Sequence, residues 1–124
     1  MPANTSLGAW ISLSKSSSKI WRERLVKTSL DLIILRLLIE KPRWGYEITM
    51  EIRDKFDVYL SAGTLYPLLH LLEERAHVEG VWQSEKGRGR RIYRITEQGK
   101  EFLLAGQKAL EDLTQRIKSD AKQA

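Results

Sequence analysis

Apolar positions along the chain follow a helical period in four stretches and a strand period in two, in the order helix, helix, helix, hairpin, helix. The first predicted helix runs from about Lys19 to Glu40. Its second half is apolar on nearly every side, through Leu30, Leu32, Ile33, Ile34, Leu35, Leu37, Leu38 and Ile39, which marks a buried central element. Lys41-Pro42 ends it, because a proline pushes the residue before it out of the helical region. A second helix, roughly Gly45 to Phe56, sets Ile48, Ile52 and Phe56 four residues apart. After the linker Asp57-Val-Tyr-Leu60, a third helix carries Leu65, Leu68, Leu69 and Leu72 on one face. The runs His77 to Ser84 and Arg91 to Thr96 are rich in strand formers and read as a hairpin with the tip Glu85-Lys-Gly-Arg-Gly-Arg90. Tyr93 and Ile95 share the inward face of its second strand, which turns Arg94 outward.

The third helix holds a puzzle. Ser61 is a natural N-cap, able to accept from the free amides of the first turn. Yet Gly63 and Pro67, both weak helix formers, sit in the first two turns. At 100° per residue they lie with His70 and Glu74 opposite the leucine face, flanked by Thr64 and Tyr66. The two residues therefore face away from the core. The glycine lets another surface approach the start of the helix, and the proline stiffens the same turns.

Charge changes the picture more through its placement than its total. The net charge of +5 over 124 residues is split. Residues 1–28 hold five basic groups against one acidic, residues 29–83 six against nine, and residues 97–124 five against five. Residues 84–96 set Lys86, Arg88, Arg90, Arg91 and Arg94 against Glu85 alone. An arginine-tipped hairpin beside a capped helix with a polar outer face is suited to phosphate. This is the plan of a winged helix-turn-helix, in which the helix enters the major groove and the hairpin tip reaches the neighbouring backbone or minor groove.

Three groups of residues then carry a resemblance. Gly45-Tyr-Glu-Ile48, Ser61-x-Gly-Thr-Leu-Tyr-Pro67 with Leu72-Glu73, and Gly87-Arg-x-Arg90 with Tyr93-x-Ile-Thr-x-x-Gly99 resemble the PadR family of winged-helix transcriptional regulators, in order and spacing, from about Leu30 to Leu110. The resemblance implies a dimeric repressor on double-stranded DNA, released in some members by a small aromatic effector. It also implies DNA contacts from Tyr46, Ser61, Thr64 and Tyr66, and from Arg88 and Arg90 on the wing. On their placement, Pro67, His70, Lys86 and Arg91 join that candidate surface. The chain departs from the family pattern at Trp44, where histidine is common, and at Arg75-Ala-His77, where a glycine turn is usual. Its last helix has no tryptophan or tyrosine, so rings for an effector would come from elsewhere, such as Trp10 or Trp21.

The fold expected is mainly α with a small β-hairpin, a winged helix-turn-helix followed by a C-terminal dimerisation helix. Its parts are a largely disordered segment 1–18, a DNA-binding domain 19–96, the helix 97–119 and a tail 120–124. From a cap at Thr96, Leu103, Leu110 and Ile117 recur every seven residues with Gly106 and Leu113 between them, a short heptad seam for a homodimer. With no cysteine, and with His70 and His77 lacking partners at a zinc spacing, neither a metal nor another cofactor is expected. Ser61 has no nucleophile elbow around it and Gly87-Arg-Gly-Arg90 no nucleotide-loop spacing, so no enzymatic activity is expected. The longest apolar run, Leu32 to Ile39, is broken by Arg36 and too short to span a bilayer. A cytoplasmic location follows as the expectation. The alternative function is a structural or partition-type protein that coats DNA with the same winged helix.

Overall fold

The computed structural model describes the backbone of residues 7–85 and 88–119 and the side chains of 16–84 and 89–119. Among the described residues, five helices and three strands follow one another as α1 (Leu7–Thr28), α2 (Leu30–Glu40), β1 (Arg43–Trp44), α3 (Gly45–Phe56), α4 (Ala62–Glu74), β2 (Val78–Glu85), β3 (Arg88–Ile95) and α5 (Glu97–Lys118). The core is α2 wrapped by the others. Ile34 and Leu35 of α2, Ile48 and Ile52 of α3, and Leu65 and Leu69 of α4 are wholly enclosed, with Val78, Tyr93 and Leu103 closing the periphery. Truncating one such leucine to alanine costs about 2–5 kcal/mol.

The sequence places one helix from Lys19 to Glu40, and the structure divides it. The bend falls at Ser29, whose φ of −103° and ψ of 23° leave the helical well. Beside it the Thr28 hydroxyl donates back to the Arg24 carbonyl at 2.7 Å, a bond of the kind that bends helices. On the N-terminal side, α1 continues back to Leu7, so residues 7–18 are helical where disorder is expected. Between Ala9 and Thr28 there is no glycine or proline to stop the helix, and serine costs it only a few tenths of a kcal/mol per residue. Residues 1–6 and the tail 120–124 lie outside the described residues.

The sheet also differs from a bare hairpin. Its order is β1-β3-β2, all antiparallel, with Arg43 opposite Tyr93 and Trp44 opposite Ile92. Two residues show no period, so β1 is invisible in the pattern. It is held in place by Arg43, which is only 4 % exposed. The guanidinium donates to the Leu37 carbonyl at 3.2 Å, one of the orphan acceptors at the end of α2, and pairs with Glu40 at 2.8 Å and Glu51 at 3.2 Å. β2 and β3 pair from Val78–Ile95 out to Glu85–Arg88, so the ladder reaches further than the strands expected from sequence.

Helix α5 starts at Thr96, whose hydroxyl accepts from the Gly99 amide at 2.9 Å. Its first half is spent on the chain itself. Leu103 is part of the core, and a Cβ at Gly106 would fall on the Leu32 side chain of α2. These two members of the expected dimer seam therefore face α2, because the helix must lie close to α2 before it can run past the body. Leu110, Leu113 and Ile117 remain exposed.

Candidate nucleic-acid interface

The start of α4 is built as its residues suggest. Ser61 Oγ accepts from the Thr64 amide at 3.2 Å and lies 3.2 Å from the Thr64 hydroxyl. Leu65, Leu69 and Leu72 are buried while Gly63, Thr64, Tyr66, Pro67 and His70 face solvent along one side. A Cβ on Gly63 would meet only Ser61 Oγ, at 3.7 Å, so nothing inside the chain demands a glycine there. His70 Nε2 lies 2.8 Å from Glu74 Oε1, an exposed pair one turn apart.

Tyr66 is 46 % exposed and has two settings at once. Its ring and hydroxyl cover the first residue of α3, and a Cβ on Gly45 would collide with both. Gly45 is thus glycine so that α4 can lean on the start of α3 through Tyr66. The next residue, Tyr46, is exposed and tilts against Trp44 with ring centroids 5.4 Å apart. Arg90 also lies over Trp44, its guanidinium 4.5 Å from the ring centroid. An aromatic and cationic row, Arg90-Trp44-Tyr46, therefore joins the wing to α3.

The wing arginines fall in different places. Lys86 lies outside the described residues, as does the side chain of Arg88, whose backbone pairs with Glu85 at the strand ends. Arg91 points to the opposite face of β3 from Arg90, since neighbours on a strand alternate. There it forms a close ion pair with Glu73 of α4, both side chains being 29 % exposed. Its guanidinium also lies 5.7 Å from the Trp82 ring centroid and 6.0 Å from that of Tyr93. The hydrogen bond to Glu73 raises the Arg91 pKa further, and burial pushes that of Tyr93 up against the opposing pull of Arg91. A cleft of about 570 Å³ opens between α4 and the wing, walled by Tyr66, His70, Glu73, Trp82, Arg91 and Tyr93.

Of the candidates, Tyr46, Ser61, Thr64, Tyr66, Pro67 and His70 thus form one exposed surface, with Arg90 at its edge and Arg91 turned inward. Sequence reasoning passed over three residues here. Tyr59, in the turn before α4, is 74 % exposed, Trp82 stands out from the wing, and Glu73 holds Arg91. Leu72-Glu73 is among the residues that carry the family resemblance, and a carboxylate beside a core leucine is the one signal the sequence offers for that pair. His70 and His77 occupy unrelated settings, the latter stacked on Phe102 at 4.1 Å.

Comparison with known proteins agrees with this geometry. The transcriptional regulator PadR-like family matches residues 34–105. A protein of Lysinibacillus sphaericus is 38 % identical over 85 residues, covering 66 % of this chain and 78 % of that one. The transcriptional regulator Rv3488 of Mycobacterium tuberculosis is 34 % identical over 95 residues, covering 73 % of this chain and 84 % of its own. Among solved structures, a transcriptional regulator from Clostridium thermocellum superposes with a TM-score of 0.69 at 32 % identity, over 77 % of this chain and 95 % of that one.

Proposed function

The chain belongs to the PadR-like family of transcriptional regulators and is a DNA-binding regulator; from that premise we propose that it is a dimeric repressor of a bounded operator. The observation that carries the reading is the exposed start of α4, with Gly63, Thr64, Tyr66, Pro67 and His70 on one face, beside a wing of arginines. A bare glycine backbone and a rigid proline turn let the helix sit deep in a major groove. Thr64 and His70 then reach base edges, while Tyr66, Tyr46 and the Ser61 cap meet the sugar-phosphate walls. Arg88 and Arg90 extend the contact to the flanking backbone or minor groove. Residues 19–96 act as the DNA-binding unit, and the exposed end of α5 joins two copies.

A repressor follows from occupancy, since a dimer seated on a promoter blocks polymerase. Among the described residues no helix is long and apolar enough to cross a membrane. Among the described residues an apolar groove of about 510 Å³, bounded by Leu25, Leu32, Ile33, Phe56, Leu103 and Leu110, offers one place for a small aromatic effector.

Footprinting on DNA upstream of the chain's own gene tests the reading. A single bounded site with inverted half-sites supports it, whereas protection that spreads with protein concentration identifies a coating protein. The wing has its own measurement. Arg88→Ala with Arg90→Ala should weaken binding to all DNA and reduce the slope of log affinity against log salt by about 1–2, as expected for the loss of one or two phosphate contacts. An unchanged slope removes the wing from the interface.

A further inference from the structure

Arg91 lies among the wing arginines in sequence, yet its guanidinium leaves the outer surface and crosses the sheet. The path it takes is cut into β2. A Cβ on Gly80 would collide with the Nε, Cζ and Nη2 atoms of Arg91, so the side chain passes through space that only a glycine leaves open. Gly80 pairs with Tyr93 in the ladder, two residues along from Arg91 on the same face of β3. Beyond the glycine the guanidinium rests near Trp82 and Tyr93 and ends on Glu73. Glu73 follows Leu72, a core residue of α4, so the carboxylate stands on the rigid part of the helix that carries Thr64, Tyr66 and His70. Three separate features therefore serve one contact: a missing Cβ, two flanking rings and a paired carboxylate.

We infer that Arg91 is a positioning residue that latches the wing to α4 through Glu73, setting the angle between hairpin and recognition helix rather than holding a phosphate itself. The inference rests on the reading of α4 and the wing as a joint DNA interface. A hairpin joined to the body only at its base swings at its tip. A bond between β3 and the second half of α4 removes that freedom, so the cost of ordering the wing is met before DNA arrives. On the other face of β3, Arg90 against Trp44 ties the strand to the start of α3, so neighbouring arginines brace the wing from both sides.

The charge of Glu73 makes the test decisive, because the latch and simple electrostatics predict opposite signs. Glu73→Ala removes a negative charge from a DNA-binding face and frees a cation, which by charge alone tightens binding. The latch predicts weaker binding instead, by about fivefold to tenfold on the footprinted upstream fragment. Gly80→Ala alters no charge and should weaken binding to a similar degree by blocking the path of Arg91. In the Glu73→Ala background it should add almost nothing, since both changes open the same contact. Alanine favours helices, so Glu73→Ala keeps α4 folded even if Gly80→Ala proves damaging. Amide exchange along β2 and β3 in the DNA-free protein should accelerate in both variants. Unchanged or tighter binding by Glu73→Ala overturns the latch. So does a fall of about 0.9 in the salt slope for Arg91→Met, which marks a phosphate contact. The Arg88→Ala, Arg90→Ala variant separates the levels: if it loses affinity while the Glu73 and Gly80 variants do not, the latch alone fails. If none of them loses affinity, the wing interface fails with it.

Discussion

At the residue scale, the turn from α4 into β2 shows a cost the chain carries openly. The Ala76 amide donates to the Glu73 carbonyl and the His77 amide to the Leu72 carbonyl, both at about 3 Å, which is the Schellman closure of a helix. That closure needs a left-handed residue at its hinge, and Ala76 supplies it with φ of 62°. An L-residue with a Cβ pays roughly 1–2 kcal/mol there, against about 0.5–1 kcal/mol of extra unfolded-state freedom for glycine. Ala76→Gly should therefore stabilise the protein by about 0.5–1 kcal/mol, read as a raised urea midpoint with unchanged m-value. Ala76 is exposed and lies past the C-terminal end of α4, at the opposite end of the helix from the Ser61 cap, so DNA affinity should hold. A midpoint that stays put or falls would show that the hinge is not strained.

At the scale of the element, α4 asks why a helix tolerates Gly63 and Pro67 in its opening turns. Inside the chain Gly63 has no steric reason to be a glycine, for the space beside it is open. Gly63→Ala should then stabilise the folded chain by about 1 kcal/mol through helix propensity, while weakening DNA binding at least several-fold by filling the space meant for the groove wall. Unfolding and binding measured on one preparation settle it. If affinity is unchanged while stability rises, the glycine is a surface accident and not part of the interface. The helix itself was legible from Ser61 and four leucines because capping and a 3.6-residue period are local signals. The partners of its polar face were not. Strand alternation tells that Arg90 and Arg91 point opposite ways, but not that one meets Trp44 and the other Glu73, since those contacts depend on how α3 and α4 cross the sheet. The bend at Ser29 and the two-residue β1 were equally hidden, one by unbroken apolar periodicity on both sides and the other by brevity.

At the scale of the molecule, the open question is what covers the far half of α5. The heptad pattern from Leu103 to Ile117 is continuous in sequence but divided in space, because Leu103 and Gly106 are used against α2 within the chain. Beyond them Leu110, Leu113 and Ile117 are 46, 54 and 75 % exposed, and Trp21 and Leu25 of α1 are exposed as well. Surface leucines scattered singly are ordinary, whereas a run at spacings of three and four along one helix is an unfilled seam. A two-fold pairing through that seam presents two copies of α4 to successive major grooves about 34 Å apart, so that two weak half-sites act together. Leu110→Glu with Leu113→Glu places charges on the seam without touching the core. The variant should sediment as a monomer, retain its thermal midpoint at low protein concentration, and lose about a hundredfold or more in affinity for an inverted-repeat operator. Its affinity for a single half-site should match that of one wild-type protomer, since α4 and the wing are unaltered. A variant that stays dimeric with full operator affinity would remove α5 from the assembly, and a monomeric wild type would remove the two-fold reading altogether.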